Sequence, residues 1–312
     1  PTPVTNTRLI DVVALGLILA ALVVVEWLLQ SERGRLLRRD HKHTVAPGTA
    51  SQAPDKAGQA FVEQEAWRRE LALARKIQTS LLPRSNPTLA EFDIKGRSMP
   101  AEEVGGDFYS CLPLNDGRLG LAIGDVSGKG VASALYMAVA SGIVEAQATI
   151  SPDSATLVHR VNDLLYGRVH ETGLNMALIY AIFDLSRRQL QVCNAGLIAP
   201  LLYRGDAFSY LECYGLPVGA VSGEVYQEQQ VQLQSGDIVL LMTDGIVEAM
   251  NAHRELFGFP GLESALQNCG KSDAQGILDG VFHSVFEFMG DMPPQDDMTL
   301  VVVRLGDRSL SC

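Results

Sequence analysis

Met176 to Arg204 reads MALIYAIFDLSRRQLQVCNAGLIAPLLYR, and this stretch decides the fold class. Met176–Asp184, Leu190–Asn194 and Leu201–Arg204 are short runs rich in aliphatic, aromatic and β-branched residues, and Ser186-Arg187-Arg188 sits where a hairpin turn would join the first two. Similar runs recur outward from it. Phe92–Ser98, Phe108–Leu114 and Arg118–Ile123 lie before it, with Asn115-Asp116-Gly117 as a second hairpin turn; Val225–Leu233, Asp237–Met242 and Met298–Arg304 follow it. Helical periodicity appears at Val131–Thr149, Asp153–Tyr166, Gly261–Gln267 and Ala274–Met289. The helices come in pairs instead of one after every strand, which predicts an α+β architecture of antiparallel sheets with helices on their outer faces. A doubly wound nucleotide fold is disfavoured: the chain has no GxGxxG, no GxxxxGK[ST] and no internal repeat.

Upstream of this region the composition changes three times. Leu9–Leu29 (LIDVVALGLILAALVVVEWLL) is apolar apart from Asp11 and Glu26 and is about as long as a bilayer core is thick, which predicts a transmembrane helix. Arg33, Arg35, Arg38, Arg39 and Lys42 follow it and only Arg8 precedes it, so the positive-inside bias places the downstream chain in the cytoplasm. A secretory signal would carry its positive charge on the other side. Residues 43–60 are rich in Ala, Pro, Gly, Ser, Thr and Gln and read as a flexible tether. Phe61–Leu82 then places Trp67, Leu71, Ala74, Ile77 and Leu81 on one helical face before Pro83. That face either pairs with a second copy in a short parallel coiled coil or docks on the domain that follows; the spacing allows both. The partition is therefore 1–42 membrane helix and basic segment, 43–60 linker, 61–86 signalling helix, 87–306 folded α+β domain and 307–312 tail.

The composition narrows the function. With 312 residues, 47% hydrophobic and 20% charged, the chain buries one sizeable core, and a formal charge of −11 repels a phosphate backbone, so no nucleic acid is expected as partner. Five widely spaced cysteines, Cys111, Cys193, Cys213, Cys269 and Cys312, fit reduced thiols and no thiolate metal site. The chemistry is carried by aspartates. Asp107 in EEVGGDFY, Asp125 in LAIGDVSGKG, Asp244 in VLLMTDGIVEA and the pair Asp296-Asp297 in PPQDDMTLVVVR each stand at a strand end or beside a Gly-rich turn. One Asp-Gly alone is ordinary turn chemistry. Four such sites flanked by strands apolar enough to be central place carboxylates at the rim of one core, where they repel unless a cation joins them. Hard oxygen donors of this kind suit magnesium or manganese, not zinc.

In these motifs the sequence resembles the PPM-type metal-dependent serine/threonine phosphatases, specifically the bacterial SpoIIE/RsbU-like regulators. The resemblance runs from about Leu73 to Leu305 and rests on ARKIQTSLLP, GGDFY, GDVSGKG, NAGLIAPLLY, GLPVGA, SGDIVLLMTDGIVEA and DDMTLVVVR, in that order and spacing. It implies a central antiparallel β-sandwich with helices on both faces (αββα) and a binuclear manganese or magnesium centre at one end. In that centre Asp125 bridges both metals with the Val126 carbonyl beside it, Asp244 and Asp296 complete one metal site, and Asp107 serves the second metal or orients its waters, with Asp297 as a further ligand. A water between the metals would attack phosphorus in line, without a covalent enzyme intermediate. The implied substrate is a phosphorylated STAS-type anti-sigma-factor antagonist. The sequence departs from the pattern at Ser110, where many relatives carry GGDFYD. Lys129 is a substrate-phosphate candidate by position, although a solvent-facing lysine at a helix start is the plainer reading. The competing function class is a catalytically inactive phosphatase fold that serves as a scaffold, against which the intact aspartate set speaks.

Overall fold

The computed structural model describes residues 56–83, 91–114, 117–169, 173–269 and 272–306. The expected membrane helix Leu9–Leu29, most of the tether and the 307–312 tail lie outside the described residues. The chain divides into two units after Glu70, and both sheets and the helices that cover them lie in the unit beginning at Leu71.

Among the described residues ten strands form two five-stranded antiparallel sheets. The first sheet has the order β1 (Phe92–Met99), β10 (Met298–Leu305), β9 (Ile238–Met242), β6 (Leu201–Arg204), β7 (Ala207–Tyr210). The second runs β2 (Phe108–Pro113), β3 (Leu119–Val126), β4 (Met176–Asp184), β5 (Gln189–Ala195), β8 (Glu228–Gln232). Side chains alternate along each strand, so every central strand must bury two faces. Val239 and Leu241 of β9, Val301 and Val303 of β10, Leu121 and Ile123 of β3 and Ile179 and Phe183 of β4 meet between the sheets. The opposite faces are covered by helix pairs. Ile238, Leu240, Leu300 and Val302 pack under α4 (Gly258–Cys269) and α5 (Ala274–Met289), and Phe108, Ala122, Leu178 and Tyr180 pack under α2 (Val131–Ala148) and α3 (Ser154–Val169). This is the αββα sandwich expected.

Local chemistry explains the helix ends. Asp273 caps α5 by accepting the Gly276 N–H at 2.8 Å, while α2 starts at Gly130, whose φ of 78° only glycine adopts without strain. Among the described residues α2 is the one helix long and apolar enough to cross a membrane, and its Tyr136, Met137, Ala140, Ile143 and Val144 are buried in the core.

The sequence reading differs from the structure at several elements: β3 runs three residues further, through Val126, α3 ends three residues later, at Val169, and α4 starts three residues earlier, at Gly258. β7 was not expected: a two-residue turn at Gly205-Asp206 folds four residues, only Phe208 and Tyr210 of them bulky, back along β6. β8 begins at Glu228, three residues later than expected, and Val225 is left exposed. The signalling helix α1 spans Lys56–Leu81, so it starts five residues before Phe61. In its last turns Leu71, Ala74 and Gln78 are half-buried, whereas Leu73, Ile77 and Leu81 are exposed.

One polar pair at the base of the first sheet sets up a prediction. Asp237 is 2% exposed and accepts two bonds from the Arg204 guanidinium at 2.8 and 2.6 Å, and its carboxylate also caps the Gln234 N–H at 2.8 Å. Arg204→Ala leaves that buried carboxylate without its counter-charge and should cost about 2 kcal/mol, or roughly 5 °C in Tm, without changing activity at 25 °C. Thermal melting beside a steady-state assay checks both halves.

Candidate metal centre

The antiparallel registers gather the aspartates at one end of the sandwich. In the second sheet Phe108 pairs with Gly124, so Asp107, just before β2, stands beside Asp125, near the end of β3. In the first sheet Leu300 pairs with Met242, so Asp296-Asp297, just before β10, stand beside Asp244, which opens a short 3₁₀ turn after β9. Glycines let these four segments close on one another. A methyl group at Gly106 would lie 2.8 Å from the Val126 carbonyl oxygen, and one at Gly245 would lie 2.0 Å from the carbonyl oxygen of Asp297. Glycine is required at both points for the backbones to approach.

The electrostatics show what this closeness costs. Burial, then Asp244, Asp296 and Asp297, push the Asp125 carboxyl up to about 7. Burial and then Asp125 hold Asp107 well above the usual carboxylate range, against the opposing effect of hydrogen bonds from threonines 299 and 243. Asp244 is raised by burial and then by Asp296. One cation answers them at close range: Lys129 Nζ lies 2.9 Å from Asp296 Oδ2 and donates to the Gln295 carbonyl at 2.6 Å. The lysine singled out at the helix start therefore faces the acids.

Among the described residues no three carboxylates are drawn together as a ready-made cage. The donor set nonetheless fits hard divalent cations. It is all oxygen, it converges on one end of the core, and burial with neighbouring acids holds Asp107, Asp125 and Asp244 above the usual carboxylate range, a conflict that a bound cation resolves. Asp125, Asp244 and Asp296, with Asp107 and the Val126 carbonyl, would hold such ions.

Asp297 differs from the other acids. Its Oδ1 accepts the Ala101 N–H at 2.7 Å, and its Oδ2 accepts those of Gly106 at 2.7 Å and Asp107 at 3.4 Å. A carboxylate offers about four lone-pair directions. Three of those on Asp297 are engaged in holding the loop that carries Asp107. Ser110 donates to Glu145 on α2 at 3.2 Å, on the helix-covered face of its sheet. Two further residues were not legible in the sequence. Thr243 donates to Asp107 Oδ2 at 2.7 Å and accepts the Thr299 N–H at 3.0 Å, tying the two sheets together beneath the site. Gln78 of α1 reaches the Gly105 backbone. A hydroxyl at a buried strand end and a lone amide in a half-buried helical register were the only signals either one gave.

Two antiparallel sheets, helix pairs on both outer faces and an acid rim where strand ends meet define the PPM class, also called PP2C. The chain belongs to the Stage II sporulation protein E (SpoIIE) family, whose model matches residues 115–306, and is an RsbU-like member of the PPM-type serine/threonine protein phosphatases. It is 25% identical over 246 residues to Phosphoserine phosphatase RsbU of Bacillus subtilis, an alignment covering 77% of this chain and 71% of that one. It spans smaller shares of longer relatives, down to 24%. Its fold is similar to the SiaA-PP2C domain of Pseudomonas aeruginosa, with a TM-score of 0.71 and 24% identity over 78% of this chain and 98% of that one. It is also similar to RsbX, solved in complex with magnesium, with a TM-score of 0.55 and 16% identity over 71% and 99% of the two chains.

Proposed function

We propose that this chain hydrolyses phosphoserine or phosphothreonine on a bacterial regulatory protein, with two divalent cations, manganese or magnesium, as cofactors. The carrying observation is the acid rim: Asp107, Asp125, Asp244 and Asp296 converge from both sheets, burial and neighbouring acids hold Asp107, Asp125 and Asp244 above the usual carboxylate range, and Lys129 lies beside Asp296. Divalent cations there would lower the pKa of a coordinated water and offset charge on the transferring phosphoryl group. The chain's own residues do the rest. Asp125, Asp244 and Asp296 supply fixed negative charge, Thr243 orients the Asp107 carboxylate by donating to it, and Asp297 holds the Gly106–Asp107 backbone in place.

The partner proposed is a phosphorylated STAS-type anti-sigma-factor antagonist, in keeping with the RsbU-like relatives. We further propose a single-pass inner-membrane protein anchored by Leu9–Leu29, with the catalytic domain, 87–306, in the cytoplasm. A homodimer through Phe61–Leu82 is supported by Leu73, Ile77 and Leu81, which leave an exposed apolar row at four-residue spacing.

Aryl-phosphate hydrolysis by the purified chain tests the activity. Turnover is expected with manganese or magnesium and should fall to background in excess chelator, returning when metal is restored. Turnover that persists in chelator would overturn the metal-dependent reading. A phosphopeptide panel, with STAS-type phosphoprotein as one member, tests the substrate class.

A further inference from the structure

The part of α1 from Leu71 onward carries one polar side chain in its half-buried register. The carboxamide of Gln78 pairs with both main-chain groups of Gly105: Nε2 donates to the Gly105 carbonyl at 2.5 Å, and the Gly105 N–H donates to Oε1 at 3.1 Å. The two residues are 27 positions apart, so this is a tertiary contact and not helix-end chemistry. Gly105 has no room to move toward the site on its other side, since a methyl group there would lie 2.1 Å from Asp297 Oδ2. The loop is thus gripped twice. Gln78 holds Gly105 from α1, and Asp297 holds the next two N–H groups from just before β10. Asp107 is two residues beyond the Gln78 grip.

Resting on the phosphatase reading above, the geometry points to Gln78 as a positioning residue that sets the approach of the Gly105–Asp107 loop to the acid rim. It touches neither substrate nor reacting atoms and acts through Asp107. The side-chain type is specific to the task. Asparagine is one methylene too short, glutamate keeps the acceptor but loses the donor and brings another negative charge toward the acids, and an aliphatic side chain offers neither bond. The two hydrogen bonds act chiefly on the local stability of the loop, and a loop loosened by a fraction of an ångström weakens a site strongly.

The test uses the full chain and compares Gln78→Ala and Gln78→Glu with wild type and with Lys76→Ala, an exposed neighbour on the same helix. Hydrogen exchange is measured in chelator, where no catalysis is involved, and manganese activation is measured with an aryl phosphate. Gln78→Ala should speed exchange of the 105–107 amides by about tenfold, with β3 and β9 unchanged. It should also raise the manganese concentration for half-maximal activity about tenfold, as loss of an outer-shell partner does, with KM for the aryl phosphate unaltered. Gln78→Glu, which keeps the acceptor for the Gly105 N–H, should fall between, and Lys76→Ala should match wild type. The proposal is overturned if the 105–107 amides of Gln78→Ala exchange as slowly as in wild type. It is equally overturned if they exchange faster while the manganese requirement and kcat of an active wild type stay put. Should wild type itself show no turnover, the phosphatase reading fails, and the exchange measurement alone decides whether Gln78 holds the loop.

Discussion

Asp125→Asn should lower turnover by three decades or more and, in the same protein, raise the melting temperature measured in chelator. The loss follows from its place among the acids. Asp125 lies at the end of a central strand, Asp244, Asp296 and Asp297 all act on its carboxyl, and by resemblance it is the carboxylate that joins both cations. Three decades correspond to about 4 kcal/mol of transition-state stabilisation, within what metal-mediated charge neutralisation supplies. The gain follows from the direction of its pKa. Burial and its neighbours hold Asp125 at about 7 in the folded chain, above the unfolded value of about 3.9. The folded state therefore binds the proton more tightly, and its stabilising effect, fully present below the unfolded pKa, is lost as pH rises through about 7. An asparagine carries no charge to repel. At pH 8 the substitution should gain on the order of 2 kcal/mol, or about 6 °C, and the gain should vanish near pH 4. Saturating manganese should reverse the order, because cations stabilise only the chain that binds them. Melting curves at both pH values, with chelator and with manganese, read out the whole pattern. A variant that melts no higher than wild type in chelator at pH 8 would show that the acids are not in conflict.

The sequence disclosed these acids because each one combines two local signals, an apolar strand and an adjacent glycine, that do not depend on the rest of the fold. Asp125 after LGLAIG and Asp244 after DIVLLM could be placed at a rim before any strand pairing was known. What could not be read was everything set by pairing itself. Thr243 looks like any strand-end threonine until β9 and β10 bring it beneath Asp107. Which side of α1 docks on the domain could not be read for a related reason. Helical periodicity groups Trp67, Ile77 and Leu81 with Leu71 and Ala74, but the half-buried residues from Leu71 onward are Leu71, Ala74 and Gln78, a direction rotated by about a tenth of a turn. Hydrophobicity marks a docking face only when docking is the sole demand on the helix, and here a polar side chain, Gln78, also reaches the domain. The short strand β7 escaped because four residues carry too little alternation to separate from a loop.

Asp297→Ala should produce the opposite stability sign from Asp125→Asn, and that contrast separates the two kinds of acid at this rim. Asp297 adjoins Asp296 in sequence and was grouped with the metal ligands by resemblance, yet its carboxylate accepts three backbone N–H groups, from Ala101, Gly106 and Asp107. Removing it leaves three half-buried donors to be satisfied by water at best, and each unpaired donor costs on the order of 1 kcal/mol. The loss should come to about 3 kcal/mol, lowering Tm by roughly 9 °C in chelator. Activity should fall about a hundredfold, since the Asp107 carboxylate loses its backbone support while Asp125, Asp244 and Asp296 remain. Asp297→Asn should recover only part of this. One amide oxygen can still accept, but the amide nitrogen then meets an N–H of the loop, donor against donor. Hydrogen exchange at 101–107 should quicken in both variants, whatever metal is present. An Asp297→Ala chain that gains stability in chelator, as Asp125→Asn is expected to, would place Asp297 among the repelling ligands and remove it from the loop's supports.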